Sequence, residues 1–261
     1  MADIKFNMPI RYLIFFPFFL LLCPIAHAAI GIDSSSTSWY ATSTNLTTIT
    51  VTSSQSNQLL VVSLWDFASI APTATAVTAG GVTMTQAAAV EEQGSVSGDS
   101  WNYIYYLTAP STGLVNVTTT WSSPPSGAVT QIVSLYNVAQ SSPVDASSTS
   151  VGQTAHNVST TVTTVTNNDI IIDSAGTKAS STGWAVGTGQ TQLSRTASST
   201  FMGQSYKQMA TAGATSTYWV AGNTYWSEVA VAFKQYVAPV STPVKYSLNG
   251  FFQWLGRFMF S

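Results

Sequence analysis

Charge is what this chain has least of. Asp, Glu, Lys and Arg make up 7% of its 261 residues, where a soluble domain ordinarily holds about a quarter. Little material is left for acid–base or phosphate chemistry. The sequence has one cysteine, Cys23, and two histidines, His27 and His156. Those counts exclude a disulfide framework and a zinc site built from Cys and His. Lys and Arg together number 8 and form no basic stripe, so nucleic acid is not an expected partner. No cofactor or metal is expected either. No D-x-[DN]-x-[DN]-G calcium loop is present, although Asp33, Asp99 and Asp145 sit in polar stretches where backbone carbonyls could complete one ion site.

The first 28 residues read as an export leader. Lys5 and Arg11 supply a short basic region, Leu13 to Cys23 an apolar run, and Ala26-His27-Ala28 a small-residue site, which predicts cleavage before Ala29. Pro17 and Pro24 interrupt the run, which is shorter than the roughly 20 residues of a spanning helix. An uncleaved anchor and lipidation at Cys23 are the alternatives. Removing Asp3, Lys5 and Arg11 with the leader leaves 9 of the 10 acidic and 6 of the 8 basic side chains, a net charge near −3. Cys23 and His27 leave as well. The exported chain would then depend on buried apolar surface alone, which some 230 residues can provide.

Short β-branched or aromatic runs alternate with clusters of Ser, Gly, Asn and Pro from Leu46 onward, the pattern of short strands. Expected strands are 46–52, 58–66, 75–79, 82–89, 101–107, 115–121, 129–136, 158–165, 169–174, 201–210, 216–220 and 227–234. Gly80-Gly81 reads as a two-residue hairpin, since both positions can take positive φ. In Val229-Ala230-Val231-Ala232-Phe233 the large residues share one face, and the alanine face can lie under a second layer. Thr on the outward positions keeps a solvent face polar without charge. The expected fold is therefore all-β, a two-sheet antiparallel β-sandwich over residues 29–236.

Val77-Thr78-Ala79-Gly80-Gly81-Val82-Thr83-Met84-Thr85, Tyr103-Ile104-Tyr105-Tyr106-Leu107 with Pro110-Ser111-Thr112-Gly113, and Ile132-Val133-Ser134-Leu135-Tyr136-Asn137-Val138 with Ser142-Pro143-Val144 occur in that order. The strand 228–233 completes the set. These blocks resemble those of a loosely characterised group of secreted bacterial β-sandwich modules. The resemblance implies a jelly-roll, lectin-like shape and a place in surface or adhesion proteins, and brings no catalytic signature.

Residues 237–245 form a proline-punctuated linker. Within 246–261, Leu248, Phe251, Phe252, Leu255 and Met259 recur at helical spacing, with Trp254 among them and Asn249, Gln253 and Arg257 on the other side. This short amphipathic aromatic segment is expected to contact a membrane surface or a partner subunit, or else to fold back on the sandwich.

Candidate chemistry is thin. His156 lacks a G-x-S-x-G partner motif. Glu91 and Glu92 are strand neighbours and point to opposite faces. Asp66 and Glu228 are the acids that could converge as a glycosidase pair. Gly-rich 183–189 reads as turns. The chain holds 8 Trp and 11 Tyr, and most should fill a core. Trp101 and Trp184, flanked by polar residues, are the expected exposed aromatics, with Tyr103 and Tyr105 on one strand face as further ligand-binding candidates. Asn45, Asn116 and Asn157 begin N-x-[ST] sequons. The expected function is a non-catalytic, exported structural or adhesive module at the cell surface or outside the cell. Its expected partners are surface glycans or other surface proteins. A carbohydrate-binding module is the first alternative, and a glycoside hydrolase-like enzyme the second.

Overall fold

The computed structural model describes residues 28–93, 98–153, 157–177, 184–196, 201–220 and 225–239. Residues 1–27 of the expected leader, His156, and the tail residues Leu248, Phe251, Phe252, Trp254, Leu255 and Met259 lie outside them. Every regular element among the described residues is a strand. The first half contains β1 (Gly31–Tyr40), β2 (Thr44–Val51), β3 (Leu59–Ala68), β4 (Ala74–Ala79), β5 (Val82–Thr83), β6 (Thr85–Glu92), β7 (Asp99–Thr108), β8 (Gly113–Trp121) and β9 (Gly127–Tyr136). The second contains β10 (Val144–Gly152), β11 (Asn157–Thr164), β12 (Asp169–Thr177), β13 (Ala185–Val186), β14 (Thr191–Arg195), β15 (Phe201–Met209), β16 (Gly213–Val220) and β17 (Trp226–Phe233).

All pairings are antiparallel, and they build four sheets where the sequence suggested two. The first half forms an inner sheet, β1-β9-β3-β7-β6, and an outer sheet, β2-β8-β4-β5. In the second half the inner sheet is β10-β17-β12-β15-β14 and the outer sheet β11-β16-β13. The two strand orders are the same order, so the chain is an internal duplication. Matching details confirm it. Asn57 and Asn168, each entering the third strand of its repeat, have φ of 52° and 62°. Asp33 and Asp145 each sit at a register shift in the opening strand. Asp33 Oδ2 accepts the Thr52 N–H at 2.9 Å, and Asp145 Oδ2 accepts those of Val165 at 2.6 Å and Thr166 at 3.2 Å. These acids cap the turns after β2 and β11.

The side-chain pattern explains the layering. β2 and β11 alternate exposed and buried residues along their whole length, as a sheet with one wet face must. β3, β9, β12 and β17 are buried on both faces apart from their ends. One core lies between the first repeat's sheets, around Ile49, Leu60, Val62, Leu64 and Val117. A second joins the two inner sheets through Leu59, Val61, Val133, Ile172, Val231 and Phe233. Smaller clusters, with Val158, Trp219 and Trp226 and with Val162, Ala230 and Ala232, fill the second repeat. The alanine face of β17 lies under the outer sheet, as its sequence suggested.

The inner sheets meet with approximate two-fold symmetry. β6 lies against β10, while β1, the counterpart of β10, lies against β14, the counterpart of β6. This is the isologous arrangement of a symmetric dimer, made within one chain. Counting from Asn57 and Asn168, Gly176 occupies the place of Trp65, and the two positions touch. A Cβ on Gly176 would stand 2.2 Å from Trp65 Cδ1, so a glycine is the residue that admits the indole. Buried polar pairs fix the register: Gln204 Nε2 donates to Ser63 Oγ at 2.8 Å, and Ser174 Oγ donates to Asn102 Oδ1 at 2.9 Å.

Candidate functional site

β7 directs Trp101, Tyr103 and Tyr105 toward the outer sheet of the first repeat. Trp101 and Tyr103 stack with ring centroids 5.4 Å apart, Tyr103 and Tyr105 lie 5.9 Å apart, and Trp121 closes on Tyr103 at 6.3 Å. Tyr103 and Tyr105 are core residues, and burial pushes both phenol pKa values up. The Tyr105 hydroxyl donates to Gln86 Oε1 at 3.0 Å. Trp184, expected at the surface, is 2% exposed among Val158, Trp219 and Trp226, and its carbonyl accepts from Arg195. Of the four aromatic candidates only Trp101 is half-exposed. It stands in a cross-strand row between Asp66 of β3 and Glu91 of β6.

Asp66 and Glu228 do not converge. Asp66 shares the face of Leu64 and Val62, inside the first repeat, while Glu228 faces Thr217 inside the second. Both inner sheets stand between them. Glu92 is buried and Glu91 half-buried, on opposite faces as strand alternation requires.

The second repeat instead gathers an acid cluster that sequence reading missed. Asp173 occupies the place of Val62 in the first repeat and is fully buried. Trp219 Nε1 donates to its Oδ2 at 2.6 Å, Ser205 Oγ donates to its Oδ1, and Gln190 Nε2 lies 3.4 Å from the same oxygen. Burial raises its pKa to about 6, against the pull of those hydrogen bonds. Glu228, with Oε1 accepting from Thr217 Oγ1 at 2.8 Å, is also pushed well up, by burial and then by the charge of Asp173. No spacing in the sequence announces this cluster, because its members come from β12, β15, β16, β17 and the turn before β14. A charged residue in place of the hydrophobe expected in the β12 run was the only available signal.

An open cleft of about 480 Å3 lies where the repeats join, lined by Gln140, Asn167, Lys234, Gln235 and Tyr236 among others. Among the described residues that line it Lys234 is the single cation, and no member of the aromatic row or of the acid cluster is among them. Among the described residues no group of three metal-ligating side chains occurs. Asn116 and Asn157 are exposed, while the Asn45 sequon is buried.

Fold and site together define a duplicated all-β protein of four stacked antiparallel sheets. Comparison of the chain with family models, curated proteins and solved structures finds no match.

Proposed function

We propose that the protein is a non-catalytic structural or adhesive module, exported to the cell surface or the extracellular space, with each repeat a jelly-roll-like sandwich. One observation supports this above others. The seven strands of the two outer sheets contain no Asp, Glu, Lys or Arg. On one side β2 and β8 set Thr44 beside Thr120, Leu46 beside Thr118 and Thr48 beside Asn116. On the opposite side β11 and β16 set Ser159 beside Tyr218 and Thr161 beside Ser216. The first is a broad, neutral face of hydroxyls and methyls; the second, at the other end of the four-layer stack, is alike except where Lys207 Nζ donates to Thr215 Oγ1 at 2.7 Å and to the Ser216 carbonyl at 3.2 Å. A neutral face suits contact with neutral polysaccharide or another uncharged protein surface, because neither partner must shed a charge's hydration. Exposed Leu46, Val82 and Leu114 add apolar area to the first face.

The test is to charge that face. Thr44→Lys combined with Asn116→Lys, two exposed positions that are not cross-strand partners, should abolish retention of the secreted protein on the cell surface while leaving its thermal unfolding unchanged. Retention equal to wild type would refute the reading, and deletion of 246–261 in parallel would assign retention to the tail. A second reading, carbohydrate binding, is favoured by the partly exposed Trp101 beside Glu91, an aromatic surface with a hydrogen-bond acceptor at its side. It requires glycan-array binding that Trp101→Ala removes.

A further inference from the structure

The acid cluster of the second repeat holds four groups in a chemical relationship that packing alone does not require. The turn Gly187–Gln190 brings the Gln190 carboxamide against Ser205, and Gly187 makes the space: a Cβ there would stand 2.6 Å from Gln190 Oε1. Gln190 Nε2 donates to Ser205 Oγ at 2.8 Å. The Gln190 carbonyl oxygen accepts the backbone N–H of Tyr218 at 2.8 Å, which polarises the amide. Ser205 Oγ in turn donates to Asp173 Oδ1, and that same oxygen lies 3.4 Å from the Gln190 nitrogen. Trp219 Nε1 pins the other carboxylate oxygen at 2.6 Å. Ser205 and Asp173 are fully buried and Gln190 is 9% exposed, so water competes poorly for the carbonyl.

A hydroxyl bonded to a carboxylate, next to a polarised carboxamide whose nitrogen donates to both, supplies the nucleophile, base and leaving group of an acyl transfer, which proceeds once the amide turns its carbonyl carbon to Ser205 Oγ. We propose that Ser205 and Gln190 join autocatalytically in an intramolecular ester. Ser205 Oγ gives its proton to Asp173 Oδ1 and bonds to Gln190 Cδ, and the negative charge on Oε1 rests against the Tyr218 N–H. Collapse breaks the Cδ–Nε2 bond, Asp173 passes the proton to the nitrogen, and ammonia leaves. Hydroxyl and carboxamide become ester and ammonia, with no oxidant, reductant or cofactor consumed. Burial raises the Asp173 pKa to about 6 and so makes it a stronger base than an ordinary carboxylate.

The ester has a mechanical place in the fold. Gln190 immediately precedes β14, an edge strand that pairs only with β15, and the bond would staple that edge to its neighbour. The first repeat has Val62 and Tyr105 at the positions of Asp173 and Ser205, so the device belongs to the second repeat alone. The inference does not rest on the adhesive reading.

Peptide mapping of the full chain tests it. Trypsin cuts after Lys178, Arg195 and Lys207, which separates Gln190 from Ser205 unless they are bonded. The expected product is one joined species, lighter by one ammonia than its two peptides together and opened by hydroxylamine. Ser205→Ala and Asp173→Asn should each give complete loss of the joined species. Should either variant fail to fold, the wild-type map still decides. Separate wild-type peptides with an intact Gln190 amide, or with a deamidated Gln190 and a free Ser205, would overturn the proposal. So would undiminished joining in folded Asp173→Asn.

Discussion

Substituting alanine at Gly176 probes the contact on which the four-layer stack depends. The added methyl would meet Trp65 at 2.2 Å, and the indole has nowhere to turn, since it is fully buried with Val129 and Met202 and lies 5.4 Å from the Phe67 ring. Overpacking of this kind costs about 1–3 kcal/mol, and for a chain of this size each kcal/mol lowers Tm by about 2–4 °C. Trp65→Ala alone should cost about 3–5 kcal/mol through the cavity it leaves. The two losses must not add. In the double variant the new methyl enters space the indole vacated, so its total should fall short of the sum by about 1–3 kcal/mol. Urea unfolding of the four proteins in this cycle gives the coupling directly. Additivity within about 0.5 kcal/mol would mean that the positions do not touch, and the face-to-face association of the repeats would be wrong.

Two further outcomes follow from the buried acids. Asp173, raised to about 6, and Glu228, raised in the same direction, bind more protons in the folded than in the unfolded chain wherever the pH lies between their unfolded and folded pKa values. Stability must therefore fall as pH rises from about 4 toward 7, each such acid contributing at most about 1.4 kcal/mol for every pH increment of one. Asp169, pushed up to about 7 by burial, adds to the same slope. Urea midpoints across that range should decline for wild type and less steeply for Asp173→Asn; a rising profile would refute the assignment. At the turn caps, Asp145→Ala removes two N–H acceptor bonds and Asp33→Ala one. The expected losses are roughly 2–3 and 1–2 kcal/mol, and an equal or reversed order in denaturant midpoints would contradict the geometry.

Much of the strand content was legible in the sequence. Gly80 and Gly81 take φ of 56° and 82° in the hairpin between β4 and β5, and the two faces of β17 divide as their residues suggested. β1 and β10 were missed because Ser and Asp are poor strand formers. They are ordered by pairing with the Val-rich β9 and β17, an influence no local window contains. The duplication was also written in the sequence, in Ile32-Asp33-Ser34-Ser35-Ser36-Thr37-Ser38 and Val144-Asp145-Ala146-Ser147-Ser148-Thr149-Ser150. Low-complexity serine masked the likeness. Trp184, just before β13, looked exposed because its sequence neighbours are polar, yet it is buried by Val158, Trp219 and Trp226, residues far from it along the chain.

The sequence by itself determined that this protein is built of strands, that its outward positions are hydroxyl-rich and uncharged, and that one cysteine and two histidines are too few for a disulfide framework or a zinc site built from Cys and His. Those properties follow from residue type and the period of two along a strand. Only the tertiary structure decided that the two like halves join face to face, that Asp66 and Glu228 lie in different cores, and that Asp173, Ser205 and Gln190 meet. Such meetings depend on which strands pair and which faces stack, contacts between residues far apart along the chain.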